Sequence, residues 1–267
     1  MINFYKYNSA GNDFIIIDNR LEDFYVNAEW IRKLCDRNFG IGADGLVLLE
    51  SNNNSDYFMN YFNSDGLPSS LCGNGSMCCG HFASTLDILI KHENSYKGSF
   101  STREGVFDVV VDTNIVCVNM PPVADFRIIN DDIIINTGSP HYIKFVKNLE
   151  NLDVKKEGSA IRYSQNFSQD GINVTFVEQN ESDIFIRTYE RGVESETLSC
   201  GTGVVAATLS MWIKKMIYVT SNILIRTKGG VLQVSFKYNN HTNTFSNISL
   251  SNRVECVFEG KISTPKF

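Results

Sequence analysis

A four-residue pattern occurs twice in this chain, and it limits the possible folds more than any other feature. Cys72-Gly73-Asn74-Gly75 returns as Cys200-Gly201-Thr202-Gly203, 128 positions later in a chain of 267 residues. Both copies read Cys-Gly-polar-Gly, and both run into small or apolar residues. The first leads into a predicted helix from Gly75 to about Lys91 that carries Ser76, Cys78, Cys79, Gly80, Ala83 and Ser84. The second leads into a helix from Gly203 to about Lys215 that is apolar nearly all round. Helices of these kinds are enclosed by other elements rather than laid on a surface. Two such turns imply two related halves, each delivering one cysteine to a shared site.

The rest of the chain supplies strands to enclose those helices. Phe4–Asn8, Phe14–Asp18, Leu46–Leu49, Tyr57–Phe62, Phe100–Ser101, Val106–Val111 and Ile115–Asn119 read as strands of the first half. A helix is expected over Asn27–Asn38, with Asn27 as its cap and Trp30, Ile31 and Leu34 on one face. Met120-Pro121-Pro122 marks the boundary, because consecutive prolines cannot continue a ladder. Beyond it, Ile133–Ile135, Tyr142–Val146, Gly171–Val177, Ile184–Tyr189, Asn222–Arg226, Leu232–Tyr238, Thr244–Leu250 and Glu255–Glu259 repeat the strand theme. The expected fold is α+β: two pseudo-symmetric halves, each a barrel-like, mostly antiparallel sheet around a central helix. The halves are 1–119, with 252–267 returning to it, carrying Cys72, and 120–251, carrying Cys200.

Gly40-Ile41-Gly42-Ala43-Asp44-Gly45 spells G-x-G-x-x-G, yet it is not a dinucleotide fingerprint. That motif follows a strand and opens a helix. Here a helix precedes it and a strand follows, so the glycines serve a backbone turn packed closely against a ligand or a neighbour.

A net charge of −6 gives no basic footprint for nucleic acid or an anionic membrane. The longest apolar stretch, Val204–Ile213, is too short to span a bilayer. The first residues lack the charged and apolar regions of a signal peptide. The seven cysteines, Cys35, Cys72, Cys78, Cys79, Cys117, Cys200 and Cys256, are odd in number and show no paired C-x-x-C spacing. Reduced thiols in the cytoplasm are expected rather than a disulfide framework, and no metal site is expected.

A cysteine at a helix N-terminus lies beside unpaired backbone N–H groups and the positive end of the helix dipole, which favour thiolate. Glycines after it leave those N–H groups open to a carboxylate. Two such turns suit removal of an α-proton on one face of a carbon and return of a proton on the other. The scheme requires no cofactor. The alternatives are buried structural cysteines, or a thiol–disulfide function, which ordinarily wants its two cysteines close in sequence.

Further motifs give these turns a family setting. Gly11-Asn12-Asp13-Phe14, the Gly40–Gly45 block, Asn63-Ser64-Asp65-Gly66 and the first Cys-Gly turn resemble the N-terminal half of diaminopimelate epimerases. Pro140-His141, Asn173-Val174, Glu190-Arg191-Gly192-Val193, Glu196-Thr197 and the second turn resemble the C-terminal half, in the same order. The resemblance implies a cofactor-independent enzyme that interconverts LL- and meso-diaminopimelate on the route to lysine and peptidoglycan, with a homodimer as the suggested assembly. It makes Cys72 and Cys200 the acid/base pair and His141 and Glu190 the residues that tune them. Asn12, Gly45, Asn63, Gly73, Asn74, Ser139, Asn173, Glu190, Arg191, Gly201 and Thr202 match substrate-binding positions. A racemase for another amino acid, or a non-catalytic amino-acid-binding relative, would share much of the pattern. The sequence departs from the family at Met77, where many members have arginine, and at Ser139, where many have asparagine. Asn252-Arg253 replaces a common Gly-Pro, and the 190–197 loop is one residue longer than in some members.

Overall fold

A computed structural model describes residues 1–21, 24–69, 71–180 and 183–263. The chain forms two compact units, Met1–Val118 with Asn252–Phe267, and Asn119–Ser251. Positions 264–267 of the returning segment lie outside the described residues. The first unit runs β1 (Ile2–Ser9), β2 (Asn12–Asp18), α1 (Ala28–Cys35), β3 (Gly45–Glu50), β4 (Tyr57–Asn63), α2 (Gly73–Thr85), β5 (Ile90–His92), β6 (Ser95–Thr102), β7 (Gly105–Asp112) and β8 (Ile115–Met120). The second runs β9 (Phe126–Ile129), β10 (Asp132–Asn136), β11 (Pro140–Phe145), a 3₁₀ turn (Leu149–Asn151), α3 (Val154–Arg162), β12 (Asn173–Asn180) and β13 (Asp183–Glu190). It continues with β14 (Ser195–Thr197), α4 (Gly201–Ile213), β15 (Ile223–Thr227), β16 (Gly230–Asn239) and β17 (Thr244–Arg253), and the last strand, β18 (Glu255–Ile262), returns to the first unit.

The two units share one wiring. In the first, β1 pairs antiparallel with β18 and β2, β2 runs parallel to β3, β3 antiparallel to β4, and β4 parallel to β6. The second repeats this with β10 beside β9 and β11, then β11–β12 parallel, β12–β13 antiparallel and β13–β15 parallel. Antiparallel ladders β6–β7–β8 and β15–β16–β17 follow. Parallel neighbours cannot be joined by a tight turn and need a crossover. The helices fill that role: α1 and α3 in the first crossover of each unit, α2 and α4 in the second. Each half is a mostly antiparallel sheet around a central helix, and the sheets are not closed into barrels.

Burial explains the compositions. α2 packs against β1, β2, β3, β4 and β7, and α4 against β10, β11, β12, β13, β15 and β16. Small residues let the strands come close: a Cβ on Gly80 would lie 2.6 Å from Val109 Cγ2. β2 is buried on both faces, which is why it reads as a continuous apolar run rather than an alternation. Ile15 and Ile17 join the α1 cluster with Ile31, Leu34, Leu46 and Leu48, while the Phe14 ring approaches Gly75 of α2.

Several boundaries differ from the sequence expectation. α1 stops at Cys35 instead of Asn38 because Asp36 leaves the helical region and its carboxylate accepts the Asn38 and Phe39 N–H groups. α2 stops at Thr85, not near Lys91: Asp87 adopts φ 53°, Ile88 N–H closes onto Ala83 O, and Ile90–His92 forms a strand. Both central helices start at the first glycine after the cysteine, two residues earlier than expected. β5, β9, β14 and α3 are additional to the sequence reading.

α3 contains Gly158 for a steric reason. A Cβ there would lie 2.5 Å from Tyr189 Cβ and 2.7 Å from its Cγ, both close to the backbone of β13. Helix propensity alone would make Gly158→Ala stabilising by about 1 kcal/mol, whereas overpacking costs about 1–3 kcal/mol. We expect Gly158→Ala to lower the urea midpoint; a raised midpoint would show that α3 can shift off β13 without loss.

Candidate active site

Both cysteines occupy the N-cap of a 13-residue enclosed helix. In the first unit, Cys72 Sγ accepts the Gly75 N–H at 3.4 Å, in the position where a serine or aspartate would ordinarily cap. Asn12, at the start of β2, presents its Oδ1 to the same sulfur at 3.8 Å and accepts Asn74 Nδ2 at 3.4 Å. Asn74 is buried, and among the described residues its own Oδ1 has no hydrogen-bond partner. Gly73 begins the first turn of α2, where backbone N–H groups have no intrahelical acceptor.

The orientation of Asn12 is fixed from behind. Its Nδ2 donates to Asp44 Oδ2 at 2.6 Å, and the same oxygen accepts the Asp13 N–H. Arg37 donates to both Asp13 oxygens and to Asp44 Oδ1, at 2.7 to 3.0 Å. Lys6 pairs with Asp13 at 2.7 Å and donates to the Gly42 carbonyl. The hydrogen bonds from Arg37 and Lys6 hold the Asp13 carboxyl below its ordinary range, although burial opposes them. Gly45 opens β3 opposite Asn63, and a Cβ there would lie 2.5 Å from Phe62 O, so only backbone fits. Asn63 begins the turn whose Ser64 N–H reaches Asp44 O. Asn12, Gly73 and Asn74 therefore surround Cys72, while Asn63 is tied to this unit through its backbone pairing with Gly45. Met77 is wholly buried in α2, where methionine fills space and brings no charge to neutralise.

The second unit builds its cysteine site from uncharged groups. Cys200 Sγ lies 3.5 Å from Thr202 Oγ1, and Thr202 Oγ1 lies 2.9 Å from His141 Nε2. The other ring nitrogen, Nδ1, is 3.2 Å from Thr175 Oγ1, which is 3.1 Å from Thr188 Oγ1. Asn173 Nδ2 approaches His141 Nε2 at 3.4 Å, and Asn173 Oδ1 accepts the Arg191 N–H at 2.8 Å. Gly203 makes room for this layer: a Cβ there would meet Thr175 Oγ1, His141 Cε1 and Thr188 Oγ1 at 3.1 to 3.2 Å. Thr137 Oγ1 anchors the Thr202 carbonyl at 2.8 Å, and Ser139 O accepts the Thr137 N–H at 3.2 Å. At the far end of β13, Glu190 accepts a hydrogen bond from Thr197 Oγ1. Arg191 is exposed and donates to Asp170 O at 2.9 Å. Gly201 and Thr202 form the first turn of α4.

Asn12 and Asn74 lie with Cys72, and Thr202, His141 and Asn173 lie with Cys200, whereas Glu190 and Arg191 stand at the end of β13, where their side chains meet Thr197 and the Asp170 carbonyl. Sequence reasoning missed Arg37, Thr175 and Thr188, and it placed Asp44 and Thr197 inside motifs without giving either a contact. The threonines carried a readable signal: Thr175 and Thr188 face each other across β12 and β13.

A sequence model of the diaminopimelate epimerase family matches residues 4–123 and 133–249. The diaminopimelate epimerase of Flavobacterium psychrophilum is 46% identical over 261 residues, covering 97% of this chain and 99% of that one. The enzyme of that name from Chlorobaculum tepidum is 41% identical, covering 95% and 98%. This chain belongs to the diaminopimelate epimerase family. It is an isomerase of the epimerase type. Solved structures share the fold at much lower identity. A probable proline racemase from Agrobacterium radiobacter superposes with TM-score 0.74 at 12% identity, covering 99% of this chain and 94% of that one. A phenazine biosynthesis protein of the PhzF family from Bacillus anthracis gives 0.72 at 15%, covering 98% and 99%.

For this member of the diaminopimelate epimerase family, the charge of His141 is settled by burial. The ring is inaccessible, and desolvation, with a smaller contribution from Arg191, pulls its pKa down to about 3. Below the ordinary histidine value of about 6.5 the unfolded chain takes up a proton that the folded ring refuses. Stability linked to His141 is therefore intact above that value and lost as pH falls, by up to about 1.4 kcal/mol per unit. Urea unfolding at pH 7.5 and 5 should show this loss, and His141→Gln should reduce it. An equal loss in wild type and variant would mean that the folded ring protonates normally.

Proposed function

We propose that this chain interconverts LL- and meso-diaminopimelate without a cofactor, with Cys72 and Cys200 as an acid/base pair on opposite faces of one α-carbon. The observation that carries this reading is the equivalence of the two cysteines. Each caps an enclosed helix at the same place in the repeated wiring, in a chain whose curated relatives bear this activity in their names. The two units are the functional halves, one cysteine in each.

One sulfur, as thiolate, takes the α-proton. The other, as thiol, gives its proton to the opposite face. The electron pair released from the C–H bond spreads onto the α-carboxylate before it is captured by the second proton. The first-turn N–H groups at Gly73-Asn74 and Gly201-Thr202 meet that charge, and preorganised donors of this kind stabilise a transition state more than water does. Asn12, Asn63, Asn173 and the Arg191 guanidinium hold the substrate, including its distal amino-acid end, and His141 and Glu190 tune the cysteines. The enzyme works in the cytoplasm on the route to lysine and peptidoglycan.

Incubation of LL-diaminopimelate in deuterated water without pyridoxal phosphate should replace the α-proton and produce the meso isomer. Cys72→Ser and Cys200→Ser should each lower kcat by about 10²-fold or more, the usual weight of a positioned acid or base. Wild-type turnover in either variant would remove that cysteine from the chemistry. Faster turnover of a monocarboxylic amino acid would move the substrate assignment elsewhere in the racemases.

A further inference from the structure

The hydrogen bonds around Cys200 can be oriented from their outer end inward. The Arg191 backbone N–H can only donate, so Asn173 Oδ1 accepts it at 2.8 Å. That fixes the amide, and Asn173 Nδ2, which can only donate, is the atom 3.4 Å from His141 Nε2. A nitrogen that accepts carries no proton. The neutral ring therefore holds its proton on Nδ1, which donates to Thr175 Oγ1 at 3.2 Å, leaving Thr175 free to donate to Thr188 Oγ1 at 3.1 Å. The remaining contact on Nε2 is the Thr202 hydroxyl at 2.9 Å. Nε2 has one lone pair, which the two donors share, with Thr202 the closer and stronger of them. The one Thr202 hydroxyl proton is then committed to His141, and only oxygen lone pairs are left to face Cys200 Sγ at 3.5 Å.

We propose that the Thr202 hydroxyl is a positioning rotor that follows the protonation state of Cys200, with a resting orientation set by Asn173 through His141. In the resting state Thr202 donates to His141 and accepts the Cys200 S–H, an orientation that favours Cys200 as thiol. When Cys200 gives its proton to carbon, the sulfur keeps the electron pair as thiolate and the Thr202 O–H turns to donate to it. His141 Nε2 then retains only the Asn173 donor. When the thiolate takes a proton back, the hydroxyl returns to the ring. No proton leaves threonine or histidine at any point. The inference builds on Cys200 as acid/base, but its resting state can be read from His141 without any turnover.

The test is nitrogen-15 NMR of the imidazole in the full-length protein, with His141 assigned by comparison with His141→Gln. The expected result is a neutral Nδ1–H ring at pH 7.5, with Nε2 at the frequency of a hydrogen-bonded acceptor. Thr202→Val should move Nε2 toward the frequency of an unbonded nitrogen, and Thr202→Ser should restore it. Cys200→Asp, which puts a fixed negative charge near the sulfur position, should move Nε2 as Thr202→Val does, whereas Cys200→Ala should leave it unchanged. A protonated Nε2 in the wild type would overturn the proposal, as would an Nε2 signal indifferent to Thr202→Val. These outcomes need only a folded protein. An inactive wild type that gives the expected signals would fail the functional assignment and leave the rotor intact, and an active one with protonated Nε2 would do the reverse.

Discussion

An enclosed helix must begin somewhere, and its first turn presents backbone N–H groups with no partner inside the helix. α4 is buried continuously from Gly201 to Met211, and α2 from Gly73 to Gly80. Left unpaired and dry, each such donor costs about 1–3 kcal/mol. A serine or aspartate cap would settle one donor with a strong acceptor. This chain uses cysteine, a weak one, and the Gly75 N–H reaches sulfur at 3.4 Å. Enclosure by the sheet thus leaves the remaining first-turn donors as the groups that the proposed substrate carboxylate would satisfy. The glycines serve the same arrangement: Gly75 lets α2 meet the Phe14 ring and Met59, and Gly203 lets α4 meet His141 and two threonines.

The units fix the groups around their sulfurs by different physics. In the first, the determinant is charge. Lys6 and Asp13 form a mostly buried pair, with side chains 8% and 12% exposed, and a pair so placed needs further hydrogen bonds to offset desolvation. Arg37, the Gly42 carbonyl and the Asp44 N–H supply them. Exposed ion pairs contribute little stability by themselves, but several sharing atoms define one geometry. The product is an Asn12 amide that cannot turn over, with its oxygen toward Cys72. In the second unit, hydroxyl, amide and imidazole groups orient one another, and a single backbone donor at Arg191 is enough to set the direction.

Much of this was legible because it follows from period and composition. Strand alternation, two unusual helices and a Pro-Pro boundary suffice to lay out two halves, and the turns placed both cysteines at helix N-termini. What escaped the sequence has physical causes. α3 was hidden because Gly158, a poor helix residue, is required by Tyr189 on a strand distant in sequence. α2 was extended too far because apolar Leu86, Ile88, Leu89 and Ile90 suit a helix as well as a turn and a strand. The threonine layer depends on strand register, which one sequence does not state: only when β12 and β13 pair does Thr175 meet Thr188 beneath His141. Asp44 lies inside a glycine motif that reads as a backbone turn, yet its carboxylate, not the glycines, holds Asn12.

Neutral His141 also narrows what the word tuning can mean for Cys200. A ring whose pKa is pulled to about 3 cannot keep a proton taken from sulfur at neutral pH, so it is no resting store for the thiol proton. Nor does it offer a fixed positive charge to hold a thiolate. What it can offer is an acceptor at a set place, 2.9 Å from a hydroxyl that also touches the sulfur. A hydroxyl can reverse its donor sense by rotating about a single bond, with no change in heavy-atom positions. An acid/base site that works in both directions, as proposed for Cys200, needs a group of that kind more than a permanent charge, because a permanent charge would favour one protonation state of the sulfur throughout the cycle.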